Sequence, residues 1–431
     1  MMPYVEWRGS KCRVRWDTGK VHPETGKKLY DSKSGFTDEA KAYEYGLDRE
    51  SDVRNDRYVS SSDGNVPFDA WAKLWLNNLD LADTSFITYE SIIKAQLIPH
   101  WGETPLRKIT TTRYQQWAKM IRAERSASYA SSILGVFGLL MRDAVDHKPP
   151  LIPETPVPRP DRRRGRYEPP EEVERLTPAP EQVLQLAVNS YDIWGFTGYV
   201  FVLTKAFTGM RLREMYGLRR EFASPTWPRS DPDRKRRTPK LLARYADMPA
   251  LRVQWQHQYA RGKPTLQMPK YGSRRNLVIP PFLHALHVQL LEGHGSEWVF
   301  PSSTGGHLLG TRFYPCYWRP AVDGVEERSG RWARTAVRAV EGLEGMVPHG
   351  LRHAHKHWLD EDGHSRVASE ERLGHRLQGV EGTYSKVTVP MEHRIVEALQ
   401  ERWEKLMGDE VEVEAARRIL RERRFSQESP I

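Results

Sequence analysis

Cysteine is almost absent from this chain of 431 residues, which contains only Cys12 and Cys316. Two cysteines so far apart argue against a disulfide framework and against a cysteine-rich zinc site. No apolar run reaches the length of a membrane span, and the first four residues do not open a signal peptide. We therefore expect a cytoplasmic protein that makes no use of a membrane.

Acidic residues are outnumbered in this sequence. It has 66 lysines and arginines against 56 aspartates and glutamates, which gives a formal net charge of +10. Such an excess suits a polyanionic partner, nucleic acid before a membrane surface, although many soluble proteins are mildly basic. The chain is too long for one ordinary core, so about two to four domains are expected.

Residues 1–60 are predicted to form a small module of three strands and one helix. In its second strand the cations Lys11, Arg13 and Arg15 alternate with the apolar residues Cys12, Val14 and Trp16. This period of two predicts one apolar face and one cationic face. A third strand is expected at 27–30, and Thr37 is expected to cap a helix that runs to about Val53. The cationic face is either a DNA contact or an ordinary solvated strand face.

Residues 65–148 are predicted to form a bundle of four helices, because apolar residues recur there at helical spacing. Phe68, Trp71, Leu74 and Trp75 are expected on one buried face, and Pro99 to Gly102 are expected to end the second helix. A proline-rich and arginine-rich linker follows at 149–172. Its arginines are either phosphate-backbone contacts or a solvated charge run, and the central ones are Arg162, Arg163 and Arg164.

A larger unit is predicted at 173–400, followed by a helical tail at 401–431. An apolar helix at 196–207 runs into the sequence TGMRLRE, in which Arg211 and Glu214 lie one helical turn apart. At this spacing the carboxylate can orient the guanidinium. Residues 221–250 are rich in proline, arginine and aspartate, and we expect them to form a loop insertion.

Short strands and helices are predicted in the rest of this unit. Strands are expected at 251–259, 266–269, 275–279 and 298–301, with a turn at 262–264, and helices at 312–321, 333–341 and 391–424. Lys270 falls at the tip of the hairpin that the second and third of these strands would form. The apolar stripe of the last helix would pack either on a neighbouring subunit or on its own domain.

The sequence from Pro348 to Ser385 contains the residue types that phosphoryl transfer requires. His349 and Arg352 are three residues apart, and His375 and Tyr384 follow. A guanidinium binds phosphate oxygens as a fixed fork, an imidazole moves protons near neutral pH, and a tyrosine hydroxyl can form a covalent intermediate. Our hypothesis is phosphoryl transfer with Tyr384 as the nucleophile.

The histidines of this stretch also allow a metal site or a structural cluster. His349, His353, His355 and His357 include pairs at i,i+4 spacing, which share a helical face. No HExxH sequence is present, and Arg352 and Lys356 among the histidines would repel a divalent cation. We expect no metal and no cofactor.

Taken in order, five segments strongly resemble the tyrosine recombinase family of phage integrases. They are TGMRLRE with Arg211, PKYGSRR with Lys270, HGLRH with His349 and Arg352, LGH with His375, and TY with Tyr384. The resemblance covers about residues 65–400, and residues 1–60 are more loosely similar to the arm-site-binding domain of lambda-type integrases. It implies a mainly α multidomain protein, with a helical core-binding domain and an α+β catalytic domain that contains a small β-sheet.

The resemblance also implies a role for each matching residue. Arg211 and Arg352 would hold the scissile phosphate, Lys270 would protonate the leaving 5′ oxygen, and His349 would assist proton transfer. His375 would hydrogen-bond the phosphate, Tyr384 would attack it, and Glu214 and His353 would support the site. Tyr271-Gly272 departs from the pair that the family often has after the lysine, and Lys263 is the nearest alternative to Lys270.

The function implied is integration or excision of a phage or mobile element by a homotetramer on double-stranded DNA attachment sites. An excisionase-type directionality factor and a host DNA-bending protein are partners that the family leads us to expect. The alternatives are a chromosome-resolving or plasmid-resolving recombinase, a DNA-binding protein whose catalytic set is vestigial, and a metal-dependent hydrolase.

Overall fold

The structure is a computed structural model, and its chain separates into two compact units, Met1–Pro170 and Glu171–Ile431. It describes residues 2–55, 58–59, 65–158, 176–230, 245, 248–260, 263–308, 310–329, 335–375, 386–408, 416 and 418–419. The mainly helical fold with small sheets agrees with the predicted fold class. Across the described residues, no helix is both long and apolar enough to span a membrane.

The first unit begins with an antiparallel sheet of three strands, in which β2 is central: β1 (Tyr4–Arg8), β2 (Lys11–Val21) and β3 (Lys28–Phe36). Helix α1 (Glu39–Arg54) packs against it. Cys12, Val14 and Trp16 are buried between sheet and helix, which confirms the predicted alternation. The third strand is longer than predicted. The cap of α1 is Asp38 and not Thr37, because the Asp38 carboxylate accepts the free N–H groups of the first turn.

The predicted cationic face of β2 includes an acidic residue from the neighbouring strand. Lys11 and Arg15 are exposed there, but Arg13 lies opposite Glu6 in the strand register. The Arg13 Nε atom is 3.1 Å from the Glu6 carboxylate. DNA binding by these three cations stays a prediction.

The rest of the first unit is a bundle of four helices: α2 (Phe68–Asn78), α3 (Asp83–Ile92, continued by a π-helical turn, Ile93–Leu97, and by Ile98–Trp101), α4 (Thr111–Glu124) and α5 (Ala127–Asp146). Aromatic rings fill its core, and among the most buried are Phe68, Trp101 and Phe137. Leu74, expected in this core, is half exposed.

The second helix of the bundle ends within the predicted stretch, at Gly102, but it continues through Pro99 before it does so. A π-helical turn precedes this proline, which falls in the first turn of the helical segment that follows. A proline is tolerated there, because the first N–H groups of a helix have no partner within it. The helix ends at Gly102.

The second unit is built around one buried helix, α7 (Phe196–Thr208). The helices of this unit are α6 (Pro180–Trp194), α7, α8 (Leu212–Tyr216), α9 (Pro281–Glu292), α10 (Gly310–Phe313, continued by a π-helical turn, Tyr314–Trp318, and by Arg319–Asp323), α11 (His349–Glu361), α12 (Arg366–Leu373) and α13 (Val389–Gly408). Helices α6, α9 and α11 all pack against α7. Twelve of the thirteen residues of α7 are buried, so it forms the core on which the site is assembled.

The strands of the second unit form two antiparallel pairs and not the predicted hairpin. Strand β4 (Ala250–Val253) pairs with β7 (Arg275–Val278), and β5 (Gln256–Ala260) pairs with β6 (Lys263–Gln267). The predicted strand 251–259 is interrupted between β4 and β5, which join different sheets. The predicted turn at 262–264 is wrong at Lys263 and Pro264, which belong to β6.

Two further predictions for this unit are wrong. Residues 298–301 contain an isolated bridge between Trp298 and Arg219 and not a strand. The Val299 N–H donates to the Leu218 carbonyl, but among the described residues no strand runs alongside. The described part of the predicted helix 333–341 is not helical, since Val337 pairs with Val325 through two backbone hydrogen bonds.

Helix α13 packs on its own unit, which decides between the two alternatives for its apolar stripe. Ile395, Leu399, Trp403 and Leu406 are buried in the main core, and the Trp403 ring stacks on Phe282 at 4.3 Å between centroids. The helix crosses the predicted boundary between 400 and 401, and the predicted domain boundaries stay predictions.

Candidate active site

The site begins where α7 ends, at Gly209. This glycine has a φ of +64°, in the left-handed region that favours glycine. A Cβ atom there would lie 2.7 Å from side-chain atoms of both His355 and Leu373. Both the left-handed backbone and the lack of room for a Cβ atom therefore require glycine at this position. The turn that it makes places Arg211 at the N-cap of α8.

Arg211 is held from three sides and keeps part of its guanidinium exposed. Its Nη1 donates to Glu214 Oε1 at 3.0 Å and to Ser273 Oγ at 3.4 Å, and its Nη2 donates to the Gly374 carbonyl at 3.1 Å. Its backbone N–H donates to the second oxygen of Glu214 at 2.9 Å. The side chain is 19% exposed. The contact between Arg211 and Glu214 has the predicted geometry.

Glu214 is fully buried and binds a second arginine that sequence reasoning missed. Arg275 donates to both of its oxygens, at 2.8 and 3.1 Å. Burial alone would raise the pKa of Glu214, but Arg275 and Arg211 lower it to about 2. Arg275 lies on the same face of β7 as the buried Leu277, because alternate residues of a strand share a face. This spacing was the signal from which the burial of Arg275 could have been predicted.

Arg352 lies in the first turn of α11 and is almost fully buried. Its Nη1 donates to the Gly209 carbonyl and its Nη2 to the Leu373 carbonyl, both at 2.6 Å. Burial lowers the pKa of this guanidinium to about 9, helped by Arg211 and Arg275. It therefore stays a cation at neutral pH. Arg352 and Arg211 bind two consecutive carbonyls, Leu373 and Gly374.

His375 follows directly after these two carbonyls and bonds on both ring nitrogens. Gly374 has a φ of +71°, which ends α12 and turns His375 toward Arg352. Arg352 Nη2 lies 2.9 Å from His375 Nε2, and Glu370 Oε2 lies 2.5 Å from Nδ1. Because a guanidinium can only donate, Nε2 accepts and the Nδ1 proton points at Glu370. Glu370 was not among the predicted residues.

His349 begins α11, one turn before Arg352, and is exposed. Its ring lies 4.7 Å from that of His353 between centroids, in an edge-to-face arrangement. His355 is buried on the other side of the helix and accepts a hydrogen bond from Arg372 at 3.0 Å. The four histidines of the helix therefore do not converge, and the described residues contain no group of three or more His, Cys, Asp or Glu suited to a metal ion.

Lys270 lies in a short 3₁₀ turn, Lys270–Gly272, between β6 and β7. Its ammonium is exposed and lies 4.9 Å from the centroid of the Tyr271 ring. In the described part of the chain no hydrogen bond joins Lys270 to Arg211 or Arg352. The turn nevertheless borders the site, because Ser273 at its end bonds Arg211.

One family model and several solved structures are similar to this chain. Residues 68–121 match the phage integrase N-terminal SAM-like domain. The Tn1549 transposon integrase in complex with transposon right end DNA matches with a TM-score of 0.53 and 14% identity, over 77% of this chain and 99% of that one. The chain therefore shares the fold of this integrase.

Two further solved structures are similar to the chain. The Tn1549 integrase in complex with a circular intermediate DNA matches with a TM-score of 0.52 and 13% identity, over 79% of this chain and 99% of that chain. A lambda integrase tetramer bound to a Holliday junction matches with a TM-score of 0.48 and 14% identity, over 90% of this chain and 99% of that chain. No curated protein sequence matches this chain.

Four of the predicted site residues meet around the turn between α12 and His375: Arg211, Glu214, Arg352 and His375. His349 and Lys270 lie on adjoining elements. Tyr384 and the arginines Arg162, Arg163 and Arg164 lie outside the described residues. The roles of all these residues stay predictions.

Lys205, on α7, is a buried cation that sequence reasoning also missed. Its ammonium donates to the Met210 carbonyl at 2.8 Å. Burial lowers its pKa to about 7, together with the nearby charge of Arg352, while Glu214 opposes the change. Lys205, Arg211, Arg275 and Arg352 thus outnumber the carboxylates of Glu214 and Glu370. Such an excess of positive charge suits an anionic ligand.

Proposed function

We propose that this protein is a site-specific DNA recombinase, which cuts and rejoins DNA through a covalent 3′-phosphotyrosyl intermediate. The observation that supports this best is the pair of arginines, Arg211 and Arg352, bound to consecutive carbonyls with His375 beside them. Nothing else in the described site offers so many donors to a phosphate. The match of residues 68–121 to the SAM-like domain of phage integrases supports the same reading.

Arg211 and Arg352 bind the two non-bridging oxygens of the scissile phosphate in this proposal. Each NH₂ group of a guanidinium has two hydrogens. Arg211 Nη2 and Arg352 Nη1 each donate once to a carbonyl, so each keeps a second hydrogen for phosphate. Donors fixed before the substrate arrives stabilise the charge that develops in the pentacoordinate transition state. His375 adds a further hydrogen bond to the same phosphate.

Tyr384 is the proposed nucleophile. Its phenolic oxygen forms a bond to phosphorus while the bond from phosphorus to the 5′ oxygen breaks. His349 assists removal of the phenolic proton, and Lys270 gives a proton to the leaving 5′ oxygen. The phosphotyrosyl link keeps the phosphodiester energy, so rejoining by the reverse steps needs neither ATP nor a metal.

DNA binding is assigned to the first unit and the linker. The four-helix bundle would bind the core site, Lys11, Arg13 and Arg15 would bind a more distant site, and Arg162 to Arg164 would follow the backbone. The assembly would be a homotetramer on paired attachment sites in the host cytoplasm, with excisionase-type and DNA-bending partners. Because the Tn1549 relative was solved with transposon DNA, a mobile element is the favoured source.

The first prediction concerns Tyr384→Phe. This variant should bind attachment-site DNA as the wild type does, but form no covalent adduct on a nicked suicide substrate, because the attacking oxygen is missing. Denaturing gels after incubation in excess chelator would measure the adduct. Tyr271→Phe is the matched control, since it removes an exposed hydroxyl beside Lys270, and it should keep the adduct.

An adduct that survives Tyr384→Phe would contradict the assignment of the nucleophile. A wild-type protein that binds DNA but never forms an adduct would favour the vestigial DNA-binding protein. Cleavage that disappears in chelator would favour the metal-dependent hydrolase.

A further inference from the structure

Arg372 is a buried arginine of α12 whose side chain joins three other elements. Its Nε donates to His355 Nε2 on α11 at 3.0 Å, and its Nη1 donates to the Val278 carbonyl of β7 at 2.9 Å. Its Nη2 donates to the Phe207 carbonyl at the end of α7, at 3.0 Å. The residue is 7% exposed. Arg372 is therefore fixed on all three of its nitrogen atoms.

The backbone that begins at Arg372 supports the arginines of the site. The carbonyls of Arg372, Leu373 and Gly374, called here the three-carbonyl segment, each accept a hydrogen bond from a different arginine. The donors are Arg275, Arg352 and Arg211, in that order along the chain. His375 follows this segment directly. A shift of the segment would therefore move both phosphate-binding candidates and His375 together.

We propose that Arg372 is a positioning residue for phosphate binding, which fixes the three-carbonyl segment and so the orientation of Arg211 and Arg352. The proposal rests on the proposed function, since these two arginines must bind the scissile phosphate for their orientation to matter. Arg372 itself has no exposed donor with which to contact DNA.

The cost of burying Arg372 supports a specific role. An apolar side chain would fill the same space without the loss of hydration that a buried cation suffers. Burial lowers the pKa of Arg372 to about 10, with Glu392 opposing and Arg275 adding to the change, so the guanidinium stays charged. Only a forked cation reaches two carbonyls and an imidazole at once.

His355 completes this arrangement as a neutral acceptor. Since Arg372 Nε can only donate, His355 Nε2 accepts and its proton lies on Nδ1. Burial, followed by Arg372 and Arg352, holds the pKa of His355 well below its usual value. The two residues thus form a fixed pair across α11 and α12.

The test measures the rate of single-turnover cleavage by Arg372→Met at saturating protein on a nicked suicide substrate. We expect at least a tenfold lower rate with a DNA dissociation constant within about twofold of wild type. A second substrate has a methylphosphonate at the cleavage position, in which a neutral methyl replaces one charged oxygen. The ratio of wild-type to variant rates should be several-fold smaller on this substrate, because the displaced guanidiniums matter less there.

Arg402→Met is the matched control. Arg402 lies 2.7 Å from Asp362, the residue directly after α11, and its guanidinium lies over the Trp358 ring of that helix. It has no described hydrogen bond or ion pair to the three-carbonyl segment. This control should keep the wild-type rate on both substrates. Arg372→Lys keeps the charge without the fork, so it should fold and show an intermediate rate; it replaces Arg372→Met if the methionine variant is insoluble.

Two results would overturn the proposal. One is a wild-type cleavage rate in folded Arg372 variants. The other is an equal loss of rate on both substrates, which is what general destabilisation of the fold predicts. A wild-type protein without any adduct would instead count against the proposed function itself.

Discussion

Glu370 and His375 show how a single carboxylate can set the tautomer of an imidazole. With its Nδ1 proton directed at Glu370, His375 can present an Nε2–H to phosphate only when both ring nitrogens carry a proton. The charge of the Glu370 carboxylate strengthens the hydrogen bond to Nδ1 and so fixes the orientation of the ring. The acceptor role of Nε2 toward Arg352 would then end when the phosphate binds.

Glu370→Gln tests this arrangement. The amide oxygen can still accept from Nδ1, but the hydrogen bond loses the contribution of the carboxylate charge, so cleavage should fall by roughly tenfold. Single-turnover cleavage rates measure this, with the exposed neighbour Glu371→Gln as control. A wild-type rate in Glu370→Gln would show that the charge of Glu370 is not what matters.

The carbonyl end of α7 is the element that gathers the cations of the site. Its last carbonyls and those of the turn that follows accept from three buried cations: Phe207 from Arg372, Gly209 from Arg352 and Met210 from Lys205. Carbonyls at the end of a helix lack partners within the helix and carry partial negative charge. The end of α7 thus attracts and orients side chains from several elements.

Gly209→Ala tests how tightly this end is packed, with Gly195→Ala at the other end of α7 as the matched control. Both glycines have positive φ, but a Cβ at Gly195 meets nothing within 4 Å. Gly195 has a ψ of −161°, a region that is open to glycine almost alone, so Gly195→Ala should lower the free energy of unfolding by about 1–3 kcal/mol through backbone strain. Gly209→Ala should lower it by about 1–2 kcal/mol through its left-handed backbone and by about 1–3 kcal/mol more through overpacking, and it should also slow cleavage. Urea unfolding and single-turnover rates measure both variants. A wild-type cleavage rate in Gly209→Ala would mean that the crowding is relieved easily.

The apolar run predicted α7 and the turn at Gly209. The resemblance to phage integrases implied that Arg211, Arg352 and His375 lie close together. The sequence did not predict that Arg275, Arg372 and Lys205 are buried. A lone cation in a sequence is normally exposed, and burial here depends on carbonyls that only the tertiary fold brings together. The end of the second bundle helix within Pro99 to Gly102 was predicted, whereas the π-helical turn before Pro99 was not, because nothing in the apolar pattern marks it.

At the scale of the whole molecule, the second unit should lose stability in acid through Glu214. Its folded pKa of about 2 lies below the ordinary 4.5, so its contribution is complete above pH 4.5 and is lost as the pH falls toward 2. The change corresponds to about 3 kcal/mol. Urea unfolding of wild type and Glu214→Gln should differ most at pH 7 and progressively less by pH 3. A difference that is constant with pH would contradict this.

The hydrogen bonds described for Arg211, Arg352 and His375 all begin and end within the second unit, whereas the SAM-like match lies in the first. These three residues thus draw the described hydrogen bonds from the second unit alone. Under the proposed function, a foreign helical bundle grafted in place of residues 65–148 is expected to change the DNA sequence that is bound. Arg211 and Arg352 would keep the hydrogen bonds that orient them.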